Sequence, residues 1–81
     1  MNDKLTLKVI SPTGILVDTL VDAVELPAYN GSLGVLRGHA PLIAALTGGK
    51  VSYTIDKEEK ELDINGGVVQ VKDDLVTVVT D

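Results

Sequence analysis

Cysteine is absent from these 81 residues, as are tryptophan and phenylalanine, and two tyrosines supply the only aromatic rings. Without cysteine there is no disulfide framework and no thiolate metal site, which fits a reducing compartment. With so few rings the core has to come from Val, Leu and Ile, and the β-branched members of that set favour strands. A single histidine, His39, cannot build a closed zinc site. Seven basic residues stand singly against twelve acidic ones, for a net charge of −5. That balance gives phosphate backbones little to hold and argues against nucleic acid and anionic membrane surfaces. No apolar run approaches the roughly 20 residues that span a bilayer. Residues 1–4 lead into an alternating segment rather than the apolar block of a signal peptide. A soluble, cytoplasmic chain is expected, with no direct membrane insertion, so that any membrane association comes through a partner.

What is present describes a folded domain. Hydrophobic residues make up 44% and charged residues 23% of the chain, ordinary for a globular protein and too apolar for disorder. The length suits one domain, residues 1–81, which on folding buries roughly 60 to 65 per cent of the surface its unfolded form exposes. Repeats, low-complexity tracts and linkers are not visible.

Residues 4–10 alternate, with Leu5, Leu7 and Val9 on one face and Thr6, Lys8 and Ile10 on the other, the period of a half-buried strand. Ser11-Pro12-Thr13-Gly14 supplies a turn. An extended pattern resumes at residues 15–17 and again at 23–26, where Pro27 is expected to end the strand for want of an N–H. Residues 29–41 are punctuated by Gly31, Gly34 and Gly38 and read as tight turn, short strand and sharp corner. A short apolar strand is expected over 42–46, followed by a turn at Gly48-Gly49. Val51, Tyr53 and Ile55 alternate outward to a charged tip at Lys57-Glu58-Glu59-Lys60, and Leu62 and Ile64 alternate back, a strong hairpin pattern. Asn65-Gly66-Gly67 interrupts the extended run, and Asp73-Asp74 turns into a last strand over 75–80. No span of ten residues carries a helical repeat. The expected fold is all-β, a two-layer β-sandwich of roughly eight to ten short strands.

The catalytic inventory is thin. Ser32 and His39 are close in sequence, but neither sits in a nucleophile context such as Gly-x-Ser-x-Gly. The acidic cluster of Asp56, Glu58, Glu59, Glu61 and Asp63 lacks the ligand spacing and central glycine of a calcium loop and reads as a solvated hairpin. Neither Gly31-Ser32-Leu33-Gly34 nor Gly66-Gly67 is followed by a helix whose N-terminus could hold a phosphate. No catalytic residue, cofactor or metal is expected. A binding module using an exposed sheet edge to hold a peptide is one reading open to such a chain.

One continuous segment carries more information. Residues 25–42 contain Leu26-Pro27, then Gly31-Ser32-Leu33-Gly34, then Gly38-His39-Ala40-Pro41-Leu42. In that order and spacing they resemble the signature of the F-type ATP synthase epsilon subunit. Leu7-Lys8-Val9-Ile10-Ser11-Pro12, Asn65-Gly66-Gly67-Val68-Val69-Gln70-Val71 and the closing residues 75–81 extend the resemblance over essentially the whole chain. Two positions depart from the usual pattern. Ser32 stands where relatives often carry an acidic residue, and Arg37 stands where they often have proline before Gly-His. The helical hairpin that commonly follows the sandwich has no counterpart in residues 1–81, so its restraint of ATP hydrolysis is not carried over.

The resemblance implies a non-catalytic rotor part in the central stalk, packed sideways on the gamma subunit and downward on the polar loops of the c-subunit ring. It implies a peripheral place on the cytoplasmic face of the inner membrane, through the complex. Asn30, Gly31, Ser32, Gly34 and His39 resemble positions facing the ring, and Ser11 and Ala44 positions near gamma. His39 reads equally well as a residue that caps the corner by hydrogen bonding.

Overall fold

Alternation between small β-branched residues and polar ones leaves the backbone little choice but to extend, and the computed structural model consists of strands throughout. It describes residues 4–81; residues 1–3, part of the stretch read above as lacking a leader, lie outside the described residues. Seven strands follow in chain order: β1 (Leu5–Ser11), β2 (Gly14–Val21), β3 (Ala23–Ala28), β4 (Gly31–Leu36), β5 (Leu42–Ile55), β6 (Glu58–Lys72) and β7 (Leu75–Thr80). They hydrogen-bond in the order β2-β1-β7-β6-β5-β3-β4. Every pairing is antiparallel except that of β1 with β7.

The strand number is seven because two glycine pairs expected as turns stand inside long strands. Gly48-Gly49 lies within β5 and Gly66-Gly67 within β6, and the two strands stay paired through this region, with Leu46 opposite Gly67 and Gly48 opposite Asn65. In β5 the buried residues are Leu46 and Val51, and in β6 they change from Ile64 and Gly66 to Val69 and Val71. Residues an odd number apart point to opposite faces of a flat strand. Both sets can be interior only if the ribbon turns over at its glycines. Gly67 is the tightest point: its φ is +142°, and a Cβ there would collide with the Val79 carbonyl oxygen and lie 2.9 Å from Thr80 Cα.

The bend folds one hydrogen-bonded sheet into two layers. The first half of β5 and second half of β6 join β7, β1 and β2; the remaining halves join β3 and β4. Fourteen buried residues from all seven strands form one cluster between them: nine valines, four leucines and Ile64. The core thus follows the aromatic-poor composition, with Tyr53 packed only at its margin.

Other local expectations are refined. Pro27 lies inside β3, at the register shift between Glu25 and Ala28 in the pairing with β5, where its missing N–H breaks no regular ladder position. The β5–β6 tip is Asp56-Lys57, not residues 57–60, because Ile55 pairs with Glu58 and both turn residues take positive φ, 49° and 71°. The β6–β7 turn is built the same way from Asp73 and Asp74, at 51° and 61°. The expected Ser11–Gly14 turn forms: the Ser11 hydroxyl donates to Gly14 O at 3.1 Å and accepts from the Thr13 N–H at 3.3 Å.

Candidate interaction surface

Antiparallel register converts scattered outward positions into rows. Ile10 pairs with Ile15 on one side and Val79 on the other; Val79 pairs with Val68, and Val68 with Ala45. These five residues form an apolar row across β2, β1, β7, β6 and β5, about 19 Å wide at the usual interstrand spacing. Ile15 is 57% exposed, Val79 53% and Val68 45%, while Ile10 is half-buried. The neighbouring row of Asp18, Lys8, Thr77, Gln70 and Ile43 is polar apart from Ile43, which is 73% exposed. An apolar strip with a polar flank has the makeup of a docking surface.

Ser11 closes β1 immediately beyond Ile10, beside the row. Ala44 does not face outward: it is half-buried against the core, and its neighbours Ile43 and Ala45 point out in its place. A partner at this strand therefore meets those neighbours rather than the Ala44 methyl.

Asn30, Gly31 and Ser32 are exposed together at the β3–β4 tip, beside Tyr29, which is 73% exposed. The turn spans Tyr29 and Asn30, with Ala28 opposite Gly31, and is closed by Gly31 at φ +109°. That dihedral explains glycine at 31 without reference to a partner. Gly34 lies midway along β4, opposite Glu25.

His39 is not with them. It follows the far end of β4, about 17 Å of strand from Gly31 at the usual rise per residue. Its N–H donates to Leu36 O at 3.1 Å, and its Nδ1 lies 2.7 Å from Ala40 O. The same loop is clamped by Asp74, whose carboxylate accepts the Gly38 N–H at 2.7 Å and lies 3.6 Å from Arg37 Nε. Ser32 and His39 thus sit at opposite ends of β4, out of reach of one another as nucleophile and base. Among the described residues no group of His, Asp and Glu could hold a metal ion.

The electrostatically tightest point lies elsewhere, where β1 begins. Lys4 Nζ reaches Asp22 at 2.7 Å and Asp56 at 2.9 Å, and Asp22 also accepts the Asp56 N–H at 2.7 Å. The Lys4 hydrogen bond, aided by that N–H, holds the Asp22 carboxyl below its ordinary range, and the two carboxylates raise Lys4. The cluster ties the β2–β3 junction to the β5–β6 turn.

The ATP synthase Delta/Epsilon chain beta-sandwich domain model matches residues 4–81. The chain belongs to that family. Among its relatives, an ATP synthase epsilon chain of Desulfitobacterium hafniense (strain DSM 10664 / DCB-2) is 37% identical over 81 residues, covering 100% of this chain and 61% of the relative. Another, from Lawsonia intracellularis (strain PHE/MN1-00), is 42% identical over 81 residues with the same coverage, 100% and 61%. The chain spans about three fifths of the length of these epsilon chains. The folded sheet also superposes on a chain of the Euglena gracilis mitochondrial ATP synthase with TM-score 0.91 and 22% identity, covering 99% of this chain and 52% of that one. A chain of the Tetrahymena thermophila mitochondrial ATP synthase central stalk and c-ring structure gives TM-score 0.80 at 13% identity, covering 98% and 64%. At such identities the likeness speaks to fold, and it supports the sandwich topology described for this family member.

Sequence reasoning missed two features. Val79 and Val68 lie in apolar runs whose outward phase was readable, but only register aligns them with Ile10. Asp74 read simply as a turn residue, and its contact with Gly38 joins positions 36 apart, beyond any local pattern.

Proposed function

We propose that this chain is a non-catalytic part of the rotor of an F-type ATP synthase, helping to fasten a gamma-like shaft subunit to the c-subunit ring. The apolar row from Ile15 to Ala45 carries this reading. It offers a shaft protein a flat, rigid, desolvatable strip beside Ser11 and along the strand that holds Ala44. The polar tip of Asn30, Gly31 and Ser32, continued by Gly34, faces the ring. Pairing of Ala28 with Leu46, Leu46 with Gly67 and Gly67 with Thr80 brings that tip to the end of the sandwich where Ser11 lies, so the two surfaces adjoin. His39 belongs to the opposite end, where it helps shape the corner held by Asp74.

The role is mechanical. A close-packed two-layer core deforms little and passes torque between the surfaces it joins. No active site is needed, and the chain sits peripherally, on the cytoplasmic face of the inner membrane, through the complex.

Co-purification from native membranes tests the reading. The chain should travel with gamma and c subunits, and Val79→Asp combined with Val68→Asp should abolish that association while leaving the circular dichroism spectrum of the free chain unchanged. A peptide held along the β2 or β4 edge would survive these substitutions, and retained association of the double variant would refute the assignment of the row.

A further inference from the structure

Two asparagine–glycine pairs occur, Asn30-Gly31 and Asn65-Gly66, both with exposed asparagines but in different backbone settings. Asparagine before glycine is the pairing most prone to cyclise, because a residue without Cβ leaves its amide nitrogen open to the preceding side chain. Cyclisation also requires that side chain to swing over the following nitrogen, a motion regular pairing resists.

Asn30 is the second residue of the exposed β3–β4 turn, and its side-chain amide is held by no hydrogen bond to any described residue. Gly31 begins β4, an edge strand, so only one neighbour holds it. Such tips open at little free-energy cost. Asn65 lies inside the long β5–β6 ladder, opposite Gly48. Its partner Gly66 is buried, and the Gly66 carbonyl accepts from the Thr80 hydroxyl at 2.9 Å and from the Asp81 N–H at 3.5 Å. Freeing the Gly66 nitrogen for attack means shifting a buried residue whose carbonyl holds both bonds at the corner of the sandwich.

We infer that Asn30 is a site of spontaneous deamidation, and that the fold protects Asn65 although it has the same neighbour. The Gly31 nitrogen attacks Asn30 Cγ. A C–N bond closes a five-membered imide, the Cγ–Nδ2 bond breaks, and Nδ2 leaves as ammonia with the proton given up by the Gly31 nitrogen. Water then opens the imide at either carbonyl, giving aspartate or its β-linked isomer, with no change of oxidation state. Either product adds a negative charge to the tip. The β-linked form also inserts a methylene into the backbone of a two-residue loop, which disturbs the pairing of Ala28 with Gly31. The inference concerns the free chain and stands apart from the rotor assignment.

Purified chain held in warm, mildly alkaline buffer, then focused and peptide-mapped, tests it. An acidic species should accumulate, with conversion at Asn30 at least about tenfold faster than at Asn65, which must first open its ladder. Asn30→Gln, whose longer side chain closes a ring less readily, should lose the acidic species; Asn65→Gln should retain it. Comparable conversion at the two sites in the unaltered chain, or an acidic species that persists in Asn30→Gln, overturns the inference.

Discussion

Replacing Gly67 with alanine probes the bend on which the two-layer fold depends. The substitution places a methyl group at φ +142°, a backbone region essentially reserved for glycine that costs an L residue about 1–3 kcal/mol. It also drives that methyl into the Val79 carbonyl oxygen, a backbone atom that no rotamer change can remove. Relief requires Gly67 to part from Thr80, its partner in the β6–β7 ladder, at about 0.5–1.5 kcal/mol for each hydrogen bond lost. The reduced freedom of the unfolded chain returns about 0.4–1 kcal/mol. With one such bond lost the balance is a loss of about 0.5–4 kcal/mol, centred near 2, and in a domain of this size each kcal/mol moves the melting temperature by roughly 4–8 °C. Gly48→Ala is the matched control: at that position a Cβ meets only ordinary contacts of 3.7 to 3.9 Å, so it should lose no stability and gain about 0.4–1 kcal/mol from the reduced freedom of the unfolded chain. Thermal and urea unfolding followed by circular dichroism at the strand band reads both variants. If Gly67→Ala melts with Gly48→Ala, the corner is not the constraint described above.

Lys57→Gly should stabilise the chain by about 0.5–1 kcal/mol, since Lys57 holds φ 71° at the second position of a two-residue hairpin turn where glycine after aspartate is preferred; a urea midpoint that is unchanged or lower contradicts this. Asp22 supplies a pH dependence: because its folded-state carboxyl is depressed by Lys4 and the Asp56 N–H, its contribution is present above the ordinary carboxyl value and disappears as the pH falls below it. Acid titration of stability should therefore be shallower in Asp22→Asn than in the parent, and coincident curves would remove Asp22 from the account. Lys4, whose ammonium is raised, acts with the opposite sign, its share disappearing only at strongly alkaline pH.

Several elements could be read directly from residues. Leu5, Leu7 and Val9 alternate with Thr6, Lys8 and Ile10, and the structure buries the first set. The segment around Gly31 and His39 pointed to the family that the comparison then showed. The glycine pairs misled, because Gly48-Gly49 and Gly66-Gly67 have the local chemistry of a turn and the same permissive backbone serves a strand that turns over while staying paired. Likewise Asn30 and His39 belong to one sequence motif, yet the length of β4 sets them at opposite ends of the sandwich.

The order of residues along the chain determined its strand character, its aliphatic core and its kinship, since each follows from side-chain type and short-range alternation. Which outward residues become neighbours was decided only on folding. Ile10, Val68 and Val79 are distant in sequence and align because register across β1, β7 and β6 carries them into one row, and Asp74 finds Gly38 because a turn closes beside a corner loop. Both arrangements depend on contacts between remote segments, which arise from packing the two halves of the sheet against each other rather than from any local preference.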